Sequence, residues 1–172
     1  DTLSVLFSIT YDIDKQHGTP YHERFVSFLK KAQSHNLIVG AGMTDPKGDR
    51  SKRPSNQSDP DLFMHVTRRT KEGLYVKGAK AHMTGGLNSH WICVMPTMNM
   101  LEADKDYAVI GMVPATAPGL TYVYGRQSCD TRALEPGDID KGNAKYGGQE
   151  TLVIFDDVFI PWAHVLMDGE YE

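Results

Sequence analysis

Gly78-Ala79-Lys80-Ala81-His82-Met83-Thr84-Gly85-Gly86-Leu87-Asn88-Ser89-His90 joins two β-like runs. Leu74 to Lys77 leads into it, and His90 to Met95 leads out. Between them lie small residues, one hydroxyl and backbone freed by glycine. Thr84, Gly85 and Gly86 are enough for a β-turn and nothing more. The same residues also suit a flat ring with polar edges, such as a flavin, whose N5 and O4 need hydrogen-bond partners. Thr84 offers a hydroxyl donor for that purpose.

Working outward, the pattern is mainly β. Strands are predicted at Leu37 to Ala41, Leu62 to Arg68, Gly73 to Gly78 and His90 to Met95. Further strands are predicted at Tyr107 to Val113, Leu120 to Tyr124, Thr151 to Asp156 and Val158 to Ile160. Gly- and Pro-rich turns separate them, as in a sandwich or barrel. The first 36 residues differ. Thr19 and Pro20 read as a helix start, and Asn36 as its stop. Tyr21, Phe25, Phe28, Leu29 and Ala32 fall on one helical face and read as core. This divides the chain into a helical segment, 1–36, and a β domain, 37–172.

Composition excludes several classes. The 172 residues are 40% hydrophobic and 23% charged, ordinary for a globular domain. A net charge of −4 gives no footprint for nucleic acid. No apolar run approaches the roughly 18 residues of a membrane-spanning helix. Two cysteines, Cys93 and Cys129, form no Cys-x-x-Cys pair and fit a reducing compartment. The chain starts at Asp1, which reads as an excised piece of a longer protein.

Three places carry candidate chemistry. Met43-Thr44-Asp45-Pro46-Lys47-Gly48-Asp49-Arg50 is the first. Asp45-Pro46 starts a turn, Gly48 relaxes the backbone, and Arg50 can give a phosphate or carbonyl two parallel bonds. A solvated surface loop is the plainer reading. Ser51 to Pro60 follows and reads as a mobile loop that orders on ligand binding. The second place is His82, Met83 and Thr84; His90 reads as a strand-end surface residue. The third is Glu150, after two glycines at the start of an apolar strand. A carboxylate near burial there would suit acid–base work; an exposed strand-end Glu is the alternative. Asp138 to Asn143 fails the EF-hand pattern and reads as an acidic loop.

Several runs resemble a known family. The stretch from Gly78 to His90 resembles the flavin-contacting strand of the acyl-CoA dehydrogenase superfamily and its Gly-x-Lys-x-Trp-Ile-Thr pattern, with His82-Met83-Thr84 where Trp-Ile-Thr stands there. Thr44 to Lys52 and Phe155 to Trp162 resemble the 4-hydroxyphenylacetate hydroxylase branch. Glu102 to Val109, Tyr124 to Arg132 and Gly147-Gly148-Gln149-Glu150 resemble the 4-hydroxybutyryl-CoA dehydratases of that branch, also called vinylacetyl-CoA isomerases.

The resemblance implies the middle β-barrel domain of the acyl-CoA dehydrogenase fold, preceded by the last helix of the N-terminal domain. It implies FAD held by residues 43 to 50 and 82 to 84, an acyl-CoA substrate, and an active-site role for Glu150. It also implies a cytoplasmic tetramer with no nucleic-acid or membrane partner. The reaction implied is dehydration of 4-hydroxybutyryl-CoA to crotonyl-CoA by a radical route. That route uses FAD and a four-iron four-sulfur cluster held by three cysteines and one histidine. Those ligands match segments flanking this one, so the chain alone is expected to be inactive. A flavin-dependent aromatic hydroxylase of the 4-hydroxyphenylacetate 3-monooxygenase type is the competing reading. A non-catalytic assembly domain is another.

Overall fold

A computed structural model describes residues 2–124 and 150–171. Two helices open the chain: α1 (Thr2–His17) and α2 (Tyr21–Ser34). The apolar stripe of α2 is where its spacing predicts. Tyr21, Phe25, Phe28 and Ala32 are buried, and each large side chain so placed contributes about 1.5–3 kcal/mol. The cap differs from expectation. Thr19 Oγ1 donates 2.6 Å to Asp14 Oδ1 rather than to the helix. Asp14, on α1, accepts from the amides of Tyr21 and His22 at 2.8 Å each. The preceding helix thus satisfies the free N–H groups of α2. Asn36 ends the segment with a φ of 51°, and the Leu37 amide bonds back to the Ala32 carbonyl at 2.9 Å. Within the helical segment read at 1–36, the sequence placed a stripe and a start only for α2; α1 had no such signal.

Eight strands follow among the described residues: β1 (Val39–Gly42), β2 (His65–Arg69), β3 (Gly73–Thr84) and β4 (Trp91–Val94). After them come β5 (Val109–Pro114), β6 (Leu120–Tyr124), β7 (Glu150–Pro161) and β8 (Val165–Asp168). One sheet runs β1-β4-β5-β8 and the other β2-β3-β7-β6. The β1–β4 pair is parallel and the remaining pairs are antiparallel. No closed barrel forms among the described residues. Among the described residues no ladder bridges the two sheets, so in place of the expected barrel they form two packed sheets.

The layers follow from the burial pattern. One core cluster joins Ile92, Val94, Val109 and Val113 of the first sheet to Val76, Val153, Phe155 and Val158 of the second. A second cluster packs Phe25, Phe28 and Leu6 of the helices on Cys93, Ile110, Met112 and Leu166. The first sheet is therefore covered on both faces. That is why β5 is a continuous apolar run, while β7 alternates.

Two β-bulges shape the β3–β7 pair of the second sheet. On β7, Asp156 and Asp157 face only Lys77, and Asp157 takes a φ of 54°. This bulge merges the two predicted strands 151–156 and 158–160 into one. On β3, Ala81 and His82 face only Leu152, and His82 takes a φ of 53°. Bulges re-aim a strand end. Gly78 lies between them with a φ of 119°. A Cβ there would lie 2.5 Å from the Phe63 carbonyl oxygen and 2.6 Å from Met64 Cα. Gly78→Ala should cost about 2–3 kcal/mol, through backbone strain and a clash with main chain. Urea unfolding measures it.

Candidate functional site

The first candidate loop leaves the end of β1 and is tied to β3 by three bonds in a row. Lys80 Nζ donates to the Met43 carbonyl at 3.1 Å. The Ala81 amide, freed by the bulge, donates to the Thr44 carbonyl at 2.7 Å. Lys80 Nζ lies 2.7 Å from Asp45 Oδ1, with both side chains 2% exposed. The same ammonium donates to the Met95 carbonyl at 2.8 Å, so its three hydrogens are all used. The Met64 amide adds a long bond of 3.4 Å to Asp45 Oδ1. Burial pushes the Asp45 carboxyl up and the Lys80 ammonium down, each opposed by its partner.

This geometry sorts the candidate residues. Asp45 is buried and committed to Lys80; it shapes the loop from beneath. Lys47 and Gly48 turn the chain with φ values of 71° and 47°. Met43, Pro46, Asp49 and Arg50 are exposed, and Thr44 and Lys47 are half-buried. Lys47 and Arg50 have no ion-pair partner among the described residues. Asp49 accepts from the Ser51 hydroxyl at 2.7 Å, which with the Ser51 amide holds its carboxyl low.

At the end of β3, His82 and Thr84 are exposed. The Thr84 hydroxyl has no hydrogen-bond partner among the described residues. Met83 is 0% exposed. Its methyl and sulfur pack where a Cβ on Gly42 or Gly86 would sit. Its side chain is core, because strand alternation turns it opposite to Thr84. Glu150 is the register partner of Thr84 across β3 and β7. It is exposed, so the near-burial expected of it is not seen. Gly147, Gly148, Gln149, Cys129 and the 138–143 loop lie outside the described residues. His90 is exposed, as expected, and its Nδ1 accepts from the Ile38 amide at 3.0 Å.

Beside the first loop, Met43, Ile9, Ile13 and Met95 to Met100 line a groove of about 560 Å³. Its far rim is braced by Asp104, whose side chain is 1% exposed. Asp104 Oδ2 accepts from Arg53 Nη2 at 2.6 Å, Arg53 Nε at 2.9 Å and the Leu101 amide at 3.2 Å. Its Oδ1 accepts from the Ser55 hydroxyl at 2.7 Å and amide at 3.1 Å. Arg53 and Ser55 are thus tied to the buried Asp104 carboxylate. Arg53 is committed to this hub and to the Asn99 carbonyl at 2.6 Å.

Cys93 is buried in β4, and burial pushes its thiol up to about 12. No group of three or more His, Cys, Asp or Glu side chains converges among the described residues. No described helix is long and apolar enough to cross a membrane.

A family model described as "4-hydroxyphenylacetate 3-hydroxylase N terminal" matches residues 1–167. The chain belongs to this family. Within the hydroxylase-type family, the chain is 53% identical over its whole length to the 4-hydroxybutyryl-CoA dehydratase/vinylacetyl-CoA Δ-isomerase of Clostridium aminobutyricum, and covers 35% of that protein. It is 60% identical to the oxygen-tolerant archaeal 4-hydroxybutyryl-CoA dehydratase structure from N. maritimus. That match has a TM-score of 0.88 and covers 99% of this chain and 34% of the other. The oxygenase component of 4-hydroxyphenylacetate 3-monooxygenase, solved with FAD, shares the fold. Its TM-score is 0.75 at 24% identity, over 98% of this chain and 34% of that one. The chain thus spans about a third of the length of these relatives.

Proposed function

We propose that this chain is the flavin- and substrate-facing segment of a 4-hydroxybutyryl-CoA dehydratase with vinylacetyl-CoA isomerase activity. One observation carries the reading: identity of 53% to the clostridial dehydratase along the entire chain. Identity to the FAD-bound oxygenase is 24%, so the aromatic hydroxylase reading is the weaker.

The available polar groups fit an FAD. Thr84 presents a free hydroxyl for the ring edge, and His82 stands beside it to stack or hydrogen-bond. Lys47 and Arg50 are cations for a phosphate or a ring carbonyl. The Met43 and Met95–Met100 groove gives an apolar wall to an acyl chain or ring. When bound, FAD supplies the one-electron exchange that makes an unactivated C–H bond acidic. Glu150, opposite Thr84, takes or returns a proton at a substrate carbon. Cluster ligands do not converge among the described residues, so no step here is assigned to iron–sulfur. The helical segment to residue 36, the β domain from residue 37, a tetramer and a cytoplasmic site all belong to the same proposal.

Titration of the chain with FAD tests the cofactor reading. Saturable binding is expected, with Thr84→Val weakening it about 5- to 10-fold, the worth of one hydrogen bond. Thermal stability should not move, because the hydroxyl has no partner within the described fold. Absence of binding removes the flavin role. Conversion of 4-hydroxybutyryl-CoA, and not 4-hydroxyphenylacetate, by the polypeptide carrying this segment separates the two activities.

A further inference from the structure

We infer that Lys80 is a positioning residue that presets the cofactor loop. The inference rests on the flavin reading for its function, though not for its geometry. Lys80 and Ala81 are consecutive on β3, yet together they hold three consecutive residues of a loop 37 positions away. The Lys80 ammonium takes Met43 O and Asp45 Oδ1, and the Ala81 amide takes Thr44 O. The fourth contact, to Met95 O, fixes the segment on the other side of the groove lined by Met43 and Met95 to Met100. One buried cation therefore sets the separation of both walls.

A buried ion pair is a poor device for stability alone, because apolar side chains of the same size often do as well. It is a good device for specifying one arrangement of backbone carbonyls. The bulge at His82 serves the same end. Its left-handed residue takes Ala81 out of the β3–β7 ladder and releases the amide to Thr44. A loop held this way loses little freedom when a cofactor arrives.

The test separates positioning from stability. Lys80→Met is compared with Lys80→Met/Asp45→Leu, in which an apolar pair fills the same space. The double variant is expected to recover most of the melting temperature lost by Lys80→Met. Its FAD dissociation constant should nevertheless stay at least 10-fold weaker than that of the parent. Hydrogen exchange at the Ala81 and Met95 amides should remain at least 10-fold faster, with Val153 and Ile92 unchanged. A purely structural role predicts that FAD affinity and Ala81 protection return with stability, and that result overturns the inference. If the unaltered chain binds no FAD, the flavin reading falls by itself. Exchange at Ala81 and Met95 then decides the positioning role, and parent-like protection in the double variant rejects it.

Discussion

Asp45→Asn lowers stability by about 3–5 kcal/mol, the cost of leaving a buried charge without its partner. For a chain of this length that is a fall in melting temperature of roughly 10 °C. The Lys80 ammonium would keep only neutral acceptors, the carbonyls of Met43 and Met95 and the new amide oxygen, and lose its counter-charge. The pH dependence identifies the cause. Burial already lowers the Lys80 pKa below its ordinary 10.5, and Asp45 is the main opposing influence. Removing Asp45 leaves burial dominant. The folded variant then binds fewer protons than the unfolded chain over the alkaline range, so its stability rises with pH. The deficit measured by urea unfolding should shrink between pH 7 and about pH 10. A deficit independent of pH would mean that lost packing, not an uncompensated ammonium, is responsible.

Asp104→Ala is expected to cost a similar amount, about 3–5 kcal/mol, by a different route. Five donor contacts from Arg53, Ser55 and Leu101 lose their acceptor at once. Arg53 is a third exposed and can rehydrate. Burial would raise the Asp104 pKa, but bonds from Ser55 and Arg53 outweigh it and hold the group below 3.8. The sign follows. A carboxyl with a depressed folded pKa stabilises the protein above its unfolded pKa, and this contribution is lost as pH falls through the folded value. Parent and variant should therefore differ fully at pH 6, and the gap should narrow progressively as pH falls below about 4. Chemical denaturation across that range measures it, and a gap that stays constant as pH falls from 6 to 2 would contradict the assignment.

Much of the fold was legible because it rests on local pattern. The α2 stripe, six of the strands and the turn at Gly85-Gly86 were all readable from periodicity and turn residues. Helix α1 was not. Val5, Phe7, Ile9 and Tyr11 are exposed on it, while Leu6 and Thr10 are buried. Apolar residues on the outer face blur the stripe that marks a helix. Strand β8 was missed because Val165 to Met167 is a short run directly after Trp162, with only a 3₁₀ turn between. The bulge at Asp157 was read as a break, since a lone left-handed Asp looks like a turn when its partner strand is unseen.

The candidate site was legible in part. The loop at 43–50 and the strand end at 84 were found from glycine, proline and hydroxyl placement and from family resemblance. Which residues there face outward was not. Met83 stands between two exposed neighbours yet fills the core, and Asp45 looks like a loop carboxylate yet is buried. Lys80 was passed over because a lysine in a strand is ordinarily exposed.

Sequence alone determined the strand spacing, the helical stripe and the places where the backbone had to turn, because each depends on residues a few positions apart. Only the tertiary structure decided that the described strands stack as two sheets, and that Lys80 meets Asp45 and Met95. The Lys80 contacts depend on groups 15 to 35 residues apart sharing one buried volume, where an unpaired charge is costly and a paired one selects a single arrangement.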